Sequence, residues 1–297
     1  MSAKLLDGKK TSAKYMESFK SLIENLRAKY KKVPSLTVIL VGENPASLIY
    51  VKNKQKRCAE IGIKSDVIRL SKDVSQKELL KIISKLNKDK KVNGILVQLP
   101  LPSHIDESSV INAISPEKDV DGFNVVNKGK LAVGDFTGLI PCTPFGILKM
   151  LKLYKIKTEG KNVVILGRSN IVGKPMAELM LQNNATVTVC HSRTKNLKAI
   201  TKNADIIISA MGVKAGMIKA SYVKEGCVVV DVAMIRNFET NKLAGDVDFK
   251  SVSKVASYIT PVPGGVGPMT IAMLINNTIK AFLTQNNIEN EDTQVQI

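Results

Sequence analysis

Tyr50 and Lys54 stand four apart in Ser47-Leu48-Ile49-Tyr50-Val51-Lys52-Asn53-Lys54. On a helix that spacing puts both side chains on one face. A phenol and an amine held together beside a partly dry cleft suit proton transfer, because desolvation moves a lysine toward gaining and losing a proton near neutrality. The same pattern on a basic helix also fits packing plus solvated charge. Two further segments add weight to the chemical reading. Gln98, in Val97-Gln98-Leu99-Pro100-Leu101-Pro102, ends a run that reads as a parallel strand, and open αβ sheets hold ligands at that end. Asp121, in Asp119-Val120-Asp121-Gly122-Phe123, precedes a glycine that allows close backbone approach. Its carboxylate suits an amino-substituted heterocycle.

A second constellation lies in Val163-Val164-Ile165-Leu166-Gly167-Arg168-Ser169-Asn170-Ile171-Val172-Gly173-Lys174-Pro175. A strand, a glycine-bounded turn and a helix start form the setting in which a pyrophosphate meets backbone N–H groups and a helix N-terminus. The match to Gly-x-Gly-x-x-Gly is imperfect: Ser169 replaces the second glycine and Gly173 comes one residue late. The end of the next strand, Cys190-His191-Ser192-Arg193-Thr194, lacks the Asp or Glu that holds the ribose 2′-hydroxyl of NAD. Ser192 and Arg193 can donate to a 2′-phosphate, with Arg168 a further candidate, so NADP is expected over NAD. Solvated loop residues are the plain alternative for His191 and Arg193.

The elements that must position these groups alternate. Apolar spacing predicts a helix over residues 9–30, then a buried strand Leu36–Val41. Asn44-Pro45 opens a helix expected to run to Ile61 and stop at Gly62. A strand at Asp66–Leu70, a helix at 75–87 and a strand at Gly94–Leu99 follow. The Pro- and Gly-containing stretch 119–144 breaks the pattern. A second series then begins: strand Asn162–Leu166, helix Lys174–Gln182, strand Thr186–Cys190, helix 196–202, and strands Asp205–Ala210 and Val228–Val232. Gly267–Leu283 reads as a helix before a polar tail. The fold class is therefore α/β, with two parallel αβ domains.

Composition narrows the function classes. The 297 residues hold 44 Lys and Arg against 26 Asp and Glu, a net charge of +18. Six of the basic residues are arginine and the lysines are dispersed, while aromatics are only 4%. Nucleic-acid sites favour Arg forks and stacking aromatics, so no nucleic-acid partner is expected. The charge reads as a lysine-rich solvated surface that draws anionic small molecules. No apolar run nears the ~20 residues that cross a bilayer, and the N-terminus has no secretory pattern and makes a poor transit peptide. Cys58, Cys142, Cys190 and Cys227 show no metal or redox spacing with each other or with His104 and His191. They read as reduced thiols of a cytoplasmic protein with no metal.

Taken together, these segments resemble the bifunctional methylenetetrahydrofolate dehydrogenase/methenyltetrahydrofolate cyclohydrolase family from about Asp7 to Phe282. The resemblance also rests on Pro141-Cys142-Thr143-Pro144 and on Tyr258-Ile259-Thr260-Pro261-Val262-Pro263-Gly264-Gly265-Val266-Gly267-Pro268-Met269-Thr270. It implies a folate-binding catalytic domain over 1–140 plus 269–297, with the C-terminal helix returning to it. A Rossmann-type NADP domain is implied over 141–268, with the interdomain cleft holding folate against nicotinamide. In this resemblance Lys54 matches the catalytic lysine, Tyr50 the aromatic that positions folate, Gln98 the group that holds the lysine, and Asp121 the pterin-binding carboxylate. Leu99, Pro100, Pro263, Gly264 and Gly265 match folate-lining positions. Gly167, Arg168, Ser169, Gly173, Ser192, Arg193 and Met234 match cofactor positions.

The implied reaction oxidises 5,10-methylenetetrahydrofolate with NADP and then hydrolyses the methenyl product to 10-formyltetrahydrofolate, in a homodimer. After Val230-Asp231-Val232 the family usually has Gly-Ile-Asn-Arg, whereas this chain has Ala233-Met234-Ile235-Arg236. By the resemblance, this departure falls in a segment that lines the cofactor pocket. A shikimate-type NADP dehydrogenase would share the glycine turn but not the Gln98-Leu99-Pro100 or Pro263-Gly264-Gly265 segments. A nucleic-acid-binding protein would need a clustered basic stripe, and a folate-binding pseudoenzyme would not need Lys54.

Overall fold

The computed structural model describes residues 2–236 and 242–289. The first part of the chain runs β1 (Lys4–Leu5), α1 (Gly8–Tyr30), β2 (Ser35–Val41), α2 (Pro45–Ile61), β3 (Lys64–Leu70), α3 (Gln76–Lys88) and β4 (Gly94–Val97). Three helices follow: α4 (Glu107–Ala113), α5 (Val125–Ala132) and α6 (Cys142–Leu153). The second part continues with β5 (Asn162–Leu166), α7 (Gly173–Gln182), β6 (Thr186–Cys190), α8 (Leu197–Thr201), β7 (Ile206–Ser209) and β8 (Val228–Asp231). Then come β9 (Ile235–Arg236), β10 (Leu243–Ala244), α9 (Phe249–Val252), β11 (Tyr258–Ile259) and α10 (Val266–Gln285).

The chain forms two compact units. One comprises Lys14–Cys142 and the chain from Ile271 onward. Its sheet has three parallel strands in the order β3-β2-β4, with Thr37 opposite Ile95 and Asp66. Every residue of β2 is buried, as expected of a central parallel strand covered on both faces. Ile39, Val41, Ile95 and Val97 pack there with Leu79 and Ile83 of α3 and Val110 of α4. The predicted stop of α2 is met: Gly62 takes φ +86° and its N–H reaches back to Ala59 O. Asn44 Oδ1 accepts from Ala46 N and Ser47 N and so starts the same helix.

The other unit comprises residues up to Ala13 together with Thr143–Thr270. Six parallel strands run in the order β1-β11-β8-β7-β5-β6. Their core is built from Val164, Leu166, Ile207, Val229 and Ile259, with Val252 of α9. Of the N-terminal residues expected with the first domain, Lys4 and Leu5 form β1 and pair with β11, Lys4 opposite Tyr258.

The stretch 119–144 is less irregular than its Pro and Gly content suggested. It contains α5, capped by Asn124 Oδ1 accepting from Val126 N, and the start of α6. The polar tail beyond Glu289 lies outside the described residues.

Candidate active site

In the three-stranded unit, the turn after β2 feeds α2 from the C-terminal end of the sheet, and β4 ends beside it. Ser47, Val51, Lys54, Cys58 and Ile61 are the buried residues of α2. Their spacing of four, three, four and three is the inward stripe of a helix. Lys54 thus occupies a core-facing position and is only 8% exposed, whereas Tyr50 is half-buried.

Lys54 Nζ donates to Gln98 Oε1 at 3.1 Å. Gln98 is fixed at both ends, since its N–H donates to Ile39 O at 2.9 Å and its Nε2 donates to Leu99 O at 2.7 Å. The carboxamide oxygen accepts an N–H and so holds the amine nitrogen in place. Leu99 is half-buried and Pro100 exposed at the mouth of this strand end, across a cis peptide bond.

Asp121 reaches the same place from a different segment. Asp119 forms a parallel bridge with Ile95, and Ile95 N donates to Lys118 O at 2.7 Å. The buried Asp119 carboxylate accepts from Asn124 N at 2.7 Å and Asn127 Nδ2 at 3.0 Å. Gly122 takes φ +74°, and a Cβ there would lie 2.6 Å from Ile140 C and Pro141 N. Burial raises the Asp121 carboxyl above its ordinary range, and the nearby Lys54 ammonium and Cys142 thiol pull it back down.

Cys142 and Asn277 were not anticipated as contributors. Cys142 Sγ donates to Val120 O at 3.2 Å. Burial holds the thiol well above its usual range, and the Asp121 and Asp119 carboxylates add to that, so it is not a thiolate nucleophile. Asn277 of α10 sends Nδ2 to Val120 O and Ile140 O, both at 2.8 Å. Burial likewise raises the Tyr50 phenol, which stays neutral. The Lys54 amine and the Asp121 carboxylate thus act on one another at one sheet end, with Tyr50 one helical turn before Lys54 on α2, a set able to grip a polar heterocycle and move protons across it.

In the six-stranded unit, β5 leads through Gly167 to α7. Gly167 takes φ +120°, and a Cβ there would sit 2.5 Å from Ala210 O. A Cβ on Gly173 would overlap Gly167 O. The two glycines leave a cradle between backbone segments that any larger residue would fill. Ser169 Oγ accepts from Val172 N and Gly173 N, which shapes the turn.

Gly167 N donates to Cys190 O at 2.9 Å, which ties the Arg168 turn to the loop carrying His191, Ser192 and Arg193. That loop is held by His191 N donating to Thr194 Oγ1 and Arg193 N donating to His191 Nδ1. Arg168, Ser192 and Arg193 are exposed. The donor set at this strand end is basic and hydroxylic with no carboxylate, so it fits a dinucleotide bearing a 2′-phosphate.

Met234 follows β8 and is 43% exposed, beside Ala233, whose N–H donates to Asp231 Oδ1. Pro263, Gly264 and Gly265 follow β11. Gly264 takes φ +108° and its carbonyl accepts from Lys9 N at 3.2 Å. Among the described residues, no group of three or more His, Cys, Asp or Glu is placed to hold a metal ion, and no helix is long and apolar enough to cross a membrane.

Comparison with known proteins matches residues 6–121 to the family model "Tetrahydrofolate dehydrogenase/cyclohydrolase, catalytic domain". Residues 141–286 match "Tetrahydrofolate dehydrogenase/cyclohydrolase, NAD(P)-binding domain". The chain is 56% identical over 287 residues to the Bifunctional protein FolD of Oceanobacillus iheyensis, covering 97% of this chain and 99% of that one. It superposes on the crystal structure of the bifunctional enzyme FolD from Campylobacter jejuni with a TM-score of 0.93 at 52% identity, covering 95% and 99%. The Trypanosoma brucei N5,N10-methylenetetrahydrofolate dehydrogenase-cyclohydrolase, solved with NADP cofactor and inhibitor, gives a TM-score of 0.91 at 35% identity, covering 96% and 98%.

Proposed function

The chain belongs to the tetrahydrofolate dehydrogenase/cyclohydrolase family, and from that membership we propose that it oxidises 5,10-methylenetetrahydrofolate with NADP and hydrolyses the methenyl product to 10-formyltetrahydrofolate. The observation that carries the assignment of roles is the seating of Lys54 on the inward face of α2, with Nζ 3.1 Å from Gln98 Oε1 and its charge acting on Asp121.

Asp121 pairs with the amino-substituted pterin ring, and Tyr50 positions the ring against α2. Leu99 and Pro100 line the ring's edge. Bound NADP supplies the nicotinamide that accepts the hydride from the one-carbon bridge. Gly167 and Gly173 open the cradle for its pyrophosphate, Ser169 shapes that turn, and Arg168, Ser192 and Arg193 hold the 2′-phosphate. Met234 flanks the cofactor at the end of β8.

The hydride step needs orientation above all. The hydrolytic step needs proton movement. Water adds to the methenyl carbon and gives one proton to Lys54 in its free-amine form, leaving a carbinol. The carbinol O–H then closes to C=O as the C–N bond to the ring nitrogen breaks, its proton passes to that nitrogen, and Lys54 releases the first proton to solvent, leaving the carbon as a formyl group. Gln98 keeps Lys54 Nζ at the reacting carbon through the cycle.

The assay follows methenyl absorbance with the purified protein. NADP is expected to exceed NAD in kcat/KM by at least about tenfold. Equal efficiency overturns the cofactor assignment, and hydrolysis without any oxidation overturns the bifunctional one.

We also infer a homodimer built through the six-stranded unit. β6 is an edge strand of sequence Thr-Val-Thr-Val-Cys, with no charge or proline to block pairing. Val189 on it and Leu181 on α7 are 36% and 59% exposed. A second copy pairing edge to edge would cover both. Light scattering that finds only a 32.3 kDa species at micromolar concentration would overturn this. The four buried free cysteines support a reducing, cytoplasmic setting.

A further inference from the structure

The order β1-β11-β8-β7-β5-β6 places the chain reversal of the sheet at β5. From β5 the chain moves outward to β6, then returns to the other side of β5 as β7. In an open parallel sheet the crevice at such a switch point, outside the C-terminal strand ends, is where a ligand sits. One wall of this crevice is the Gly167–Gly173 turn after β5. The other is Ala210-Met211-Gly212 after β7. The walls touch at their base, where Ala210 N donates to Leu166 O at 2.8 Å and Ala210 O faces Gly167.

The first wall is shaped by its glycines and by Ser169. The second is held by a carboxylate that no part of the cofactor assignment uses. Asp246 is wholly buried. Its Oδ2 accepts from Ser209 Oγ at 2.8 Å and Met211 N at 2.9 Å, and its Oδ1 accepts from Gly212 N at 3.0 Å. Gly212 takes φ +63°, so the loop turns back at the residue this carboxylate grips. Asp246 is anchored in turn by Asp231 at the end of β8. Asp231 Oδ1 accepts from Asp246 N and Ala233 N, and its Oδ2 accepts from Val247 N at 2.8 Å. Asp231 N takes a bond from the neighbouring strand, donating to Thr260 Oγ1 at 2.7 Å. Two carboxylates in series thus tie the loop ends of β7, β8 and β11 together.

We propose that Asp246 is a positioning residue for the dinucleotide: through Ser209, Met211 and Gly212 it fixes the β7 wall of the switch-point crevice, with Asp231 as its anchor. Backbone N–H groups committed to a carboxylate cannot turn into the crevice, and the loop keeps one shape whether or not the cofactor is present. That is preorganisation, which strengthens binding by removing the cost of ordering the loop. The proposal rests on the assignment of NADP to this unit.

The test uses the full chain and the variants Asp246→Asn and Ser209→Ala. Asn keeps the shape of Asp but replaces an acceptor oxygen with a donor nitrogen, so at least one of the three bonds is lost. In the absence of NADP, hydrogen exchange at the Met211 and Gly212 amides should speed up by about tenfold or more in Asp246→Asn, in line with losing a bond to a charged acceptor. The NADP Kd by calorimetry and the KM for NADP should rise by at least about the same factor. The KM for the folate substrate and cyclohydrolase turnover without NADP should stay within about twofold. Ser209→Ala removes one donor only, and about a threefold rise in NADP Kd is expected.

Unchanged amide exchange and NADP Kd in Asp246→Asn overturn the proposal. If that variant does not fold, an unchanged Kd in Ser209→Ala overturns it. A wild-type protein that binds no NADP would instead sink the cofactor assignment beneath it.

Discussion

Lys54→Met separates the two chemistries at one side chain. Methionine keeps much of the length and apolar volume of the lysine stem but carries no proton. Lys54 is 8% exposed, so the thioether enters an already enclosed space. Gln98 Oε1 loses its donor, a cost of about 1–3 kcal/mol for a buried acceptor, and the half-buried Gln98 recovers part of it from water. Removing a buried ammonium offsets some of the rest. At about 2–4 °C per kcal/mol for units of this size, the melting temperature should move by no more than about 5 °C.

Catalysis should respond far more strongly. A positioned acid–base group is worth about 10²–10⁴-fold, or roughly 3–5 kcal/mol of barrier, and cyclohydrolase turnover should fall by that much. Oxidation of the methylene substrate should remain measurable, because it depends first on registry between folate and nicotinamide. Asp121 loses the cation that counters its burial, so the folate KM should rise, though by less than the hydrolytic rate falls. The assay follows methenyl absorbance for each step separately, after a thermal melt has confirmed folding. Near-wild-type hydrolysis would show that Lys54 moves no proton, and the mechanism would need another group.

Asn277→Leu removes the Nδ2 donor from Val120 O and Ile140 O. Val120 O keeps the Cys142 thiol and Ile140 O is orphaned, so at about 1–3 kcal/mol for that carbonyl the melting temperature should fall by at least about 2 °C. The folate KM should rise as the Asp121 turn loosens, and an unchanged melt would refute the clamp. Gly173→Ala puts a methyl group against Gly167 O. NADP affinity by calorimetry should drop by at least about tenfold, and unaltered affinity would refute the cradle. Burial lifts Asp119 and Asp231 to about 6 from an ordinary 3.8. The folded state therefore binds extra protons between about pH 4 and 6, and the stability this adds is lost as pH rises through 6. The melting temperature should climb as pH falls from 7.5 to 5, less steeply in Asp119→Asn. A fall over that range, or equal slopes in both proteins, would contradict the assignment.

Much of the framework was legible because parallel sheets write themselves as apolar runs. Val163-Val164-Ile165-Leu166 and Ile206-Ile207-Ile208 are buried strands in the sequence and in the fold. Gly62 and Asn44-Pro45 marked the ends of α2 by local chemistry alone. The misses were elements too short or too disguised for periodicity. β1 and β11 have two residues each and exist only as partners of each other and of β8. α6 starts on Cys142-Thr143-Pro144, where a proline in the first turn of a helix reads as a break.

The candidate site has signals of the same kind in the sequence. Lys54 falls in the stripe of Ser47, Val51, Cys58 and Ile61, so a charge occupies an inward position of an otherwise ordinary helix. That conflict between residue type and position is visible in the sequence, and functional groups tend to reside at such conflicts. Asn276, Asn277 and Thr278 pose the same conflict in α10, three buried polar residues in a helix otherwise lined with Ile, Leu, Met and Ala. What they satisfy is not visible there. Thr278 bonds within its own helix, to Leu274 O at 2.8 Å, whereas Asn277 reaches carbonyls 157 and 137 residues away. Asp246 likewise serves N–H groups more than thirty residues back along the chain. For Asn277 and Asp246 the sequence shows a polar side chain at a buried position but does not locate its partner. For Asp121 and for the β7 loop, the positioning groups come from segments that only the folded topology brings beside them.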